Sequence, residues 1–167
     1  LLYRYGSFTH RITPQGDPQC EYHAQKFSHL PLKAVRNEKG EWHKVSLTLP
    51  GRNLEAKIWR IDVGSVPLYL LDTDVESNSE EDRFISSRLY GGDSENRLKQ
   101  EILLGMGGVK LIKELSLPVN LYHNNEGHAA FSSLERMKQY LQTQKYTYAQ
   151  AKELVRATTL FTTHTPV

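Results

Sequence analysis

The stretch Asn120-Leu121-Tyr122-His123-Asn124-Asn125-Glu126-Gly127-His128-Ala129-Ala130-Phe131 decides how the chain is read. Val119, Leu121 and Tyr122 follow Pro118 as a short buried strand, and Ala130, Leu134, Met137 and Leu141 recur at helical spacing beyond it. The polar residues between are therefore expected at the carboxyl end of a strand and the amino end of a helix. In open α/β sheets that crevice binds ligands, because the first N–H groups of the helix are unpaired and the helix dipole is positive there. Asn125 is expected to cap the helix, with Glu126 in its first turn and His128 at its third position. Capping needs only one acceptor. His123, Asn124, Asn125, Glu126 and His128 offer far more than that, including two titratable imidazoles, and the excess points to a ligand.

Downstream the pattern recurs. Thr147 and Gln150 form a capping box, Ala151, Leu154 and Val155 an apolar helical stripe, and Leu160-Phe161 a strand running into Thr162-Thr163-His164-Thr165-Pro166. Parallel strands joined by right-handed crossovers would bring the two polar termini to one edge of a sheet, which makes His164 a site candidate.

Upstream, Leu98, Ile102, Gly105, Val109 and Ile112 keep helical spacing from Ser94 to Leu115. Gly105, Gly107 and Gly108 interrupt it at about 1 kcal/mol each relative to Ala, which close packing of the helix backbone on a sheet would offset. A dinucleotide loop is disfavoured because these glycines fall inside a helix and follow no strand. Asp72 to Asn96 is a turn-rich loop in which Ser79-Glu80-Glu81-Asp82 caps a short helix through Leu89 and Gly91-Gly92-Asp93 breaks it. Val45, Leu47 and Leu49 alternate, then Pro50-Gly51 turns. Leu54, Ala56 and Ile58 line one face, and Trp59, Ile61 and Val63 the other, predicting a bulge near Ile58. Gly64-Ser65 is a two-residue hairpin loop with Val66 to Leu71 as the return strand. Around Tyr3, Tyr5 and Phe8 an edge strand leads into a surface loop from Thr13 to Pro18.

The composition narrows the function classes. Two Trp, nine Tyr and five Phe within a 38% hydrophobic content suffice for a core in one domain's length of chain. Lys plus Arg exceed Asp plus Glu by only two (21 against 19) and no basic run occurs, so no nucleic-acid partner is expected. No apolar stretch nears the roughly 20 residues of a membrane span and no secretory pattern is visible, so no membrane partner is expected. The single Cys20 fits a reducing, cytoplasmic setting. The chain starts at Leu1 without Met and stops at Val167 just after an apolar run, and is read as a piece of a larger enzyme.

His123, Glu126 and His128 invite a zinc reading, but the histidines are five apart and straddle a strand-to-helix turn, so no metal is expected. Cys20 lies in the loop-like first third and no Gly-x-Ser-x-Gly elbow occurs, which disfavours a nucleophile. A neutral cluster of Asn, Glu and His remains, suited to sugar hydroxyls that both donate and accept.

Four stretches carry a family resemblance: Leu2-Tyr3-Arg4-Tyr5-Gly6-Ser7-Phe8, Val66 through Asp74, Arg97 through Gly105, and His123 through Phe131 with Phe161 through Val167. In these, spanning nearly the whole chain in order, the sequence resembles the α-glucan phosphorylases of the glycogen phosphorylase superfamily, specifically the shorter bacterial and archaeal kind. The resemblance implies an α/β fold, part of the N-terminal Rossmann-like domain of a GT-B glycosyltransferase, with an antiparallel β-hairpin unit at 42–74 and an α/β sugar-site region at 94–167. The 167 residues would then be one partial domain, with the C-terminal cofactor domain absent. It implies retaining phosphorolysis of terminal α-1,4 bonds of a glucan by inorganic phosphate, with pyridoxal phosphate as proton donor and acceptor. It assigns His164 to the C6 hydroxyl of the reacting glucose and Asn125, Glu126 and His128 to the sugar site, where Glu126 stands in place of the Asp of animal and plant enzymes. Arg97 matches an arginine just after the gating loop, and His123 stands beside the sugar-site residues. The family's lysine anchor lies in the second domain, so no cofactor-binding residue is expected in this chain and the piece alone should be silent. A nucleotide-sugar-dependent glucan synthase on the same fold and a non-catalytic glucan-binding module are the alternatives. Self-association through exposed apolar surface is expected of the isolated piece.

Overall fold

A computed structural model describes residues 1–6, 8–89 and 92–164. It is a mixed α/β protein whose chain divides into two compact units: Leu1–Lys44 with Leu54–Arg97, and Val45–Asn53 with Leu98–Val167.

The first unit opens with β1 (Phe8–Ile12) paired antiparallel to β2 (Pro18–Tyr22), from Phe8↔Tyr22 to Ile12↔Pro18. The surface loop expected after the edge strand is thus only the turn of a hairpin, closed by Thr13 N–H on the Asp17 carbonyl at 2.9 Å. Almost every residue of both strands is exposed, so no alternation of polarity marks them in sequence. Next come β3 (Lys33–Ala34) and β4 (Lys44–Leu49), which passes into the second unit, then β5 (Arg52–Val63) and β6 (Val66–Asp72).

β5 and β6 form the expected hairpin, in unbroken register from Lys57↔Asp72 to Val63↔Val66. Gly64 supplies the positive φ of +61° that the loop requires. The bulge expected near Ile58 is therefore absent from this pairing. The second apolar face of β5 is covered only in part: the Trp59 ring meets Trp42 edge-on at 4.6 Å and Phe27 at 5.9 Å, Val63 is 59% exposed, and Leu54, Ala56 and Ile58 are buried on the other side.

After β6, Ser79 accepts from Asp82 N–H and caps α1 (Glu80–Arg83), which ends well short of Leu89. Local competition explains the early stop. Thr73 N–H donates to Ser86 Oγ at 2.9 Å and Ser86 N–H to Thr73 Oγ1 at 3.2 Å, pinning the chain before a second turn can form. Of the predicted breaker, Gly91 lies outside the described residues.

In the second unit, β4 buries Val45, Leu47 and Leu49 in strict alternation before the turn at Gly51, as its pattern predicts. The helix read from Ser94 to Leu115 is α2 (Ser94–Ile102), a π-helical segment at Leu103–Gly107 and α3 (Gly108–Glu114). Of the expected stripe Gly105 and Val109 are buried and Ile102 and Ile112 half-buried, while Leu98, ahead of the π segment, is 46% exposed. The π segment inserts an extra residue into the turn, and Leu103 and Leu111 join the buried side. The glycines do lie inside the helix, and Gly105 packs on a helix rather than on a sheet. A Cβ there would stand 2.8 Å from Ser132 N, at the start of α4 (Phe131–Thr143). Thr147 and Gln150 complete the expected capping box of α5 (Tyr148–Ala157), whose Ala151 and Val155 are buried. β7 (Tyr122–Asn125) and β8 (Thr159–Thr162) are joined through these two helices.

Candidate functional site

β7 and β8 run parallel, in register from Tyr122↔Thr159 to Asn125↔Thr162. Their carboxyl ends therefore lie side by side, as the two polar termini predicted. Glu126 N–H extends the ladder by donating to the Thr162 carbonyl at 2.8 Å. Beyond it, the backbone N–H of His164 donates to Glu126 Oε1 at 2.5 Å, and His164 Nε2 lies 2.9 Å from Asn125 Oδ1. One position back, His123 Nε2 is 2.7 Å from Thr162 Oγ1.

The strand is displaced from its predicted place. Leu121 is 60% exposed and outside it, whereas His123, Asn124 and Asn125 form part of it. Pairing decides this: Tyr122 N–H donates to the Thr158 carbonyl at 2.9 Å, so the ladder opens at Tyr122 whatever the apolar run before it suggests. Asn125 consequently does not cap the helix, its side-chain oxygen being engaged by His164. Glu126 heads a single 3-10 turn at Gly127–Ala129 with no side-chain cap, and His128 sits half-buried in that turn.

Glu126 has φ +57° and ψ −168°, close to a region of backbone space occupied almost solely by glycine. Such a conformation costs about 1–3 kcal/mol. Both of its ends are held, the amide by Thr162 and the carboxylate by His164. Behind the edge, Asn124 is 7% exposed and exchanges hydrogen bonds with Ser132: Nδ2 donates to Oγ at 3.1 Å, and Oγ lies 3.3 Å from Oδ1. Gly105 gives Ser132 the room to take that place.

These contacts define what the edge can do. An amide oxygen only accepts, so the Asn125 contact places the proton of a neutral His164 on Nε2 and leaves Nδ1 as an acceptor for a hydroxyl. The structure thus brings Asn125, Glu126 and His164 together, with His123 beside them on Thr162. Arg97, half-buried on α2, belongs to the first unit. Sequence reading missed the Asn124–Ser132 pair and the role of Thr162. The signal for the former lies in the register: a strand beginning at Tyr122 turns Asn124 inward. Among the described residues no three His, Cys, Asp or Glu side chains converge as a metal set, and no helix is long and apolar enough to cross a membrane.

A parallel strand pair whose ends gather an amide, a carboxylate and an imidazole defines an α/β protein with a polar, hydroxyl-accepting edge. Comparison with known proteins carries the reading further. The whole chain aligns with the maltodextrin phosphorylase of Thermococcus litoralis at 39% identity, covering 20% of that protein. It aligns equally completely with the glycogen phosphorylase of Mycobacterium tuberculosis at 41% (20% of its length) and that of Aquifex aeolicus at 38% (24%). No family model matches. The chain spans between a fifth and a quarter of the length of these relatives. Over its whole length the chain is similar to one segment of the α-glucan phosphorylases.

Proposed function

We propose that this chain supplies the sugar-holding edge of an α-glucan phosphorylase, a cytoplasmic GT-B enzyme in which inorganic phosphate cleaves terminal α-1,4 bonds of glycogen or maltodextrin to give glucose 1-phosphate with retention. The observation that carries the reading is the joint hold of Asn125 and Glu126 on His164 at the end of the parallel strand pair. It leaves Nδ1 of His164, which has no partner among the described residues, as an acceptor for a sugar hydroxyl, and a bond that tightens as the sugar distorts lowers the barrier rather than merely binding substrate. In this reading His164 is the catalytic contact, and Asn125, Glu126, His123 and His128 line the sugar.

Pyridoxal phosphate, which the family resemblance implies, supplies proton transfer through its phosphate. The edge does not fit it: Asn125, Glu126, His123, Thr162 and His164 include no lysine for a Schiff base and no cation for a phosphate. The 167 residues by themselves are expected to bind glucan weakly and to turn nothing over. Leu160 and Phe161 on β8 and Leu121 just before β7, each at least half exposed, suit self-association of the isolated chain.

Titration of the chain with maltodextrin, followed by amide chemical shifts, tests the assignment. Saturable shifts at Asn125, Glu126 and His164 support it. Shifts confined to other residues would move the sugar site elsewhere.

A further inference from the structure

Arg136 on α4 is 3% exposed, yet none of the described residues gives it a carboxylate. Its Nη1 donates to Thr159 Oγ1 at 2.7 Å and its Nη2 to Thr158 Oγ1. Both hydroxyls give their own protons to backbone carbonyls, Thr158 to Leu154 and Thr159 to Val155, each at 2.6 Å. They are therefore neutral acceptors, and the charge stays uncompensated. The guanidinium stacks 3.8 Å from the centre of the Tyr122 ring, and its Nε finds no acceptor. Glu135, the adjacent acid, makes no ion pair with it; its Oε1 accepts from Gln139 and its Oε2 is likewise unpartnered. A buried cation without a counter-charge costs several kcal/mol unless an anion joins it.

Arg136 lines a cavity of about 270 Å³ that also takes in Lys113, Tyr140, Thr143 and Gln144 and has no carboxylate in its wall. Lys113 is exposed and has no side-chain partner among the described residues. Two positive charges, the Thr143 hydroxyl, the Gln139 and Gln144 amides and the Tyr122 and Tyr140 rings thus meet in one recess. A phosphate monoester carries about −1.5 to −2 charges at neutral pH with several strong acceptor oxygens, which matches two cations better than a single carboxylate does. We infer that this recess binds a small organic phosphate, its phosphoryl group between Lys113 and Arg136 and its organic part against Tyr140. The site is separate from the Asn125–Glu126–His164 edge and does not depend on the function proposed for it.

The probe is phenyl phosphate, titrated into the chain with phenol and inorganic phosphate in parallel and read by calorimetry and by amide shifts. Saturable shifts at Lys113, Tyr140 and Gln144, weaker binding of inorganic phosphate and none of phenol are expected. Lys113→Gln should weaken phenyl phosphate about tenfold through loss of a charge-assisted bond, with an unchanged unfolding midpoint because Lys113 is exposed. Arg136→Lys should weaken it as well and restore part of the affinity lost in Arg136→Met. The inference is overturned if phenol binds as tightly as phenyl phosphate, if no saturable shift occurs at these residues, or if Lys113→Gln leaves the affinity unchanged.

Discussion

His164 gives its backbone N–H to the Glu126 carboxylate across the ends of two parallel strands, so an acid read from sequence as a sugar contact also fixes where the imidazole stands. Glu126→Gln keeps the shape but loses the charged acceptor. In the full-length enzyme it should lower turnover by about 1–3 kcal/mol of transition-state stabilisation. Wild-type kinetics in Glu126→Gln would separate the carboxylate from the reaction.

The backbone of Glu126 yields a stability prediction of unusual sign. Glu126→Ala removes the carboxylate and keeps a side chain at φ +57°, whereas Glu126→Gly removes both. The glycine variant should be the more stable of the two by about 1 kcal/mol in chemical denaturation, although glycine normally destabilises through the entropy of the unfolded chain. Equal stability would mean that the turn relaxes once the carboxylate is gone.

Gly105→Ala sets helix propensity against packing. Alanine gains about 1 kcal/mol as a helix former, but its Cβ would stand 2.8 Å from Ser132 N and 3.0 Å from Phe131 Cβ, and backbone cannot swing aside. Overpacking of this kind costs about 1–3 kcal/mol, so net destabilisation is expected in thermal unfolding. Because Ser132 holds Asn124, maltodextrin shifts at the edge should weaken with it.

Asp74 makes the first unit acid-sensitive. Burial pushes its carboxyl up, but the Arg83 hydrogen bond and the charges of Arg4, Arg83 and Lys57 together outweigh it and hold the group below its ordinary value. Arg4 lies 2.7 Å and Arg83 2.6 Å away. For a depressed carboxylate the stabilisation is present above the unfolded value, about 3.9, and is lost as pH falls through the folded one. Denaturation midpoints between pH 5 and about 2.5 should show a loss that Asp74→Asn reduces, with about 0.5–1 kcal/mol forfeited at pH 7, since the ion pair is partly solvated.

Much of this was legible in the residues. Capping chemistry placed α5 at Thr147 and Gln150, glycine placed the β5–β6 turn at Gly64, and two polar strand ends predicted the shared edge of Asn125 and His164. What failed did so where tertiary contacts overrule local pattern. Val119, Leu121 and Tyr122 read as the strand, but pairing with β8 starts the ladder only at Tyr122, the last of them. The β1–β2 hairpin is exposed on both faces and leaves no alternation to read. The helix expected to reach Leu89 stops at Arg83 because Thr73 and Ser86 bind one another's backbone, a pairing thirteen residues apart that no periodicity announces.

His164→Ala in the full-length enzyme removes a hydrogen bond expected to tighten in the transition state, so kcat should fall more than KM rises. An unchanged kcat with a raised KM would make His164 an ordinary binding residue.

Incubating the full-length protein with maltodextrin and inorganic phosphate and measuring glucose 1-phosphate tests the proposed phosphorolysis most directly. Release of glucose 1-phosphate, sharply reduced by His164→Ala, is the predicted result. No glucose 1-phosphate, with chain growth from a nucleotide sugar instead, would contradict it.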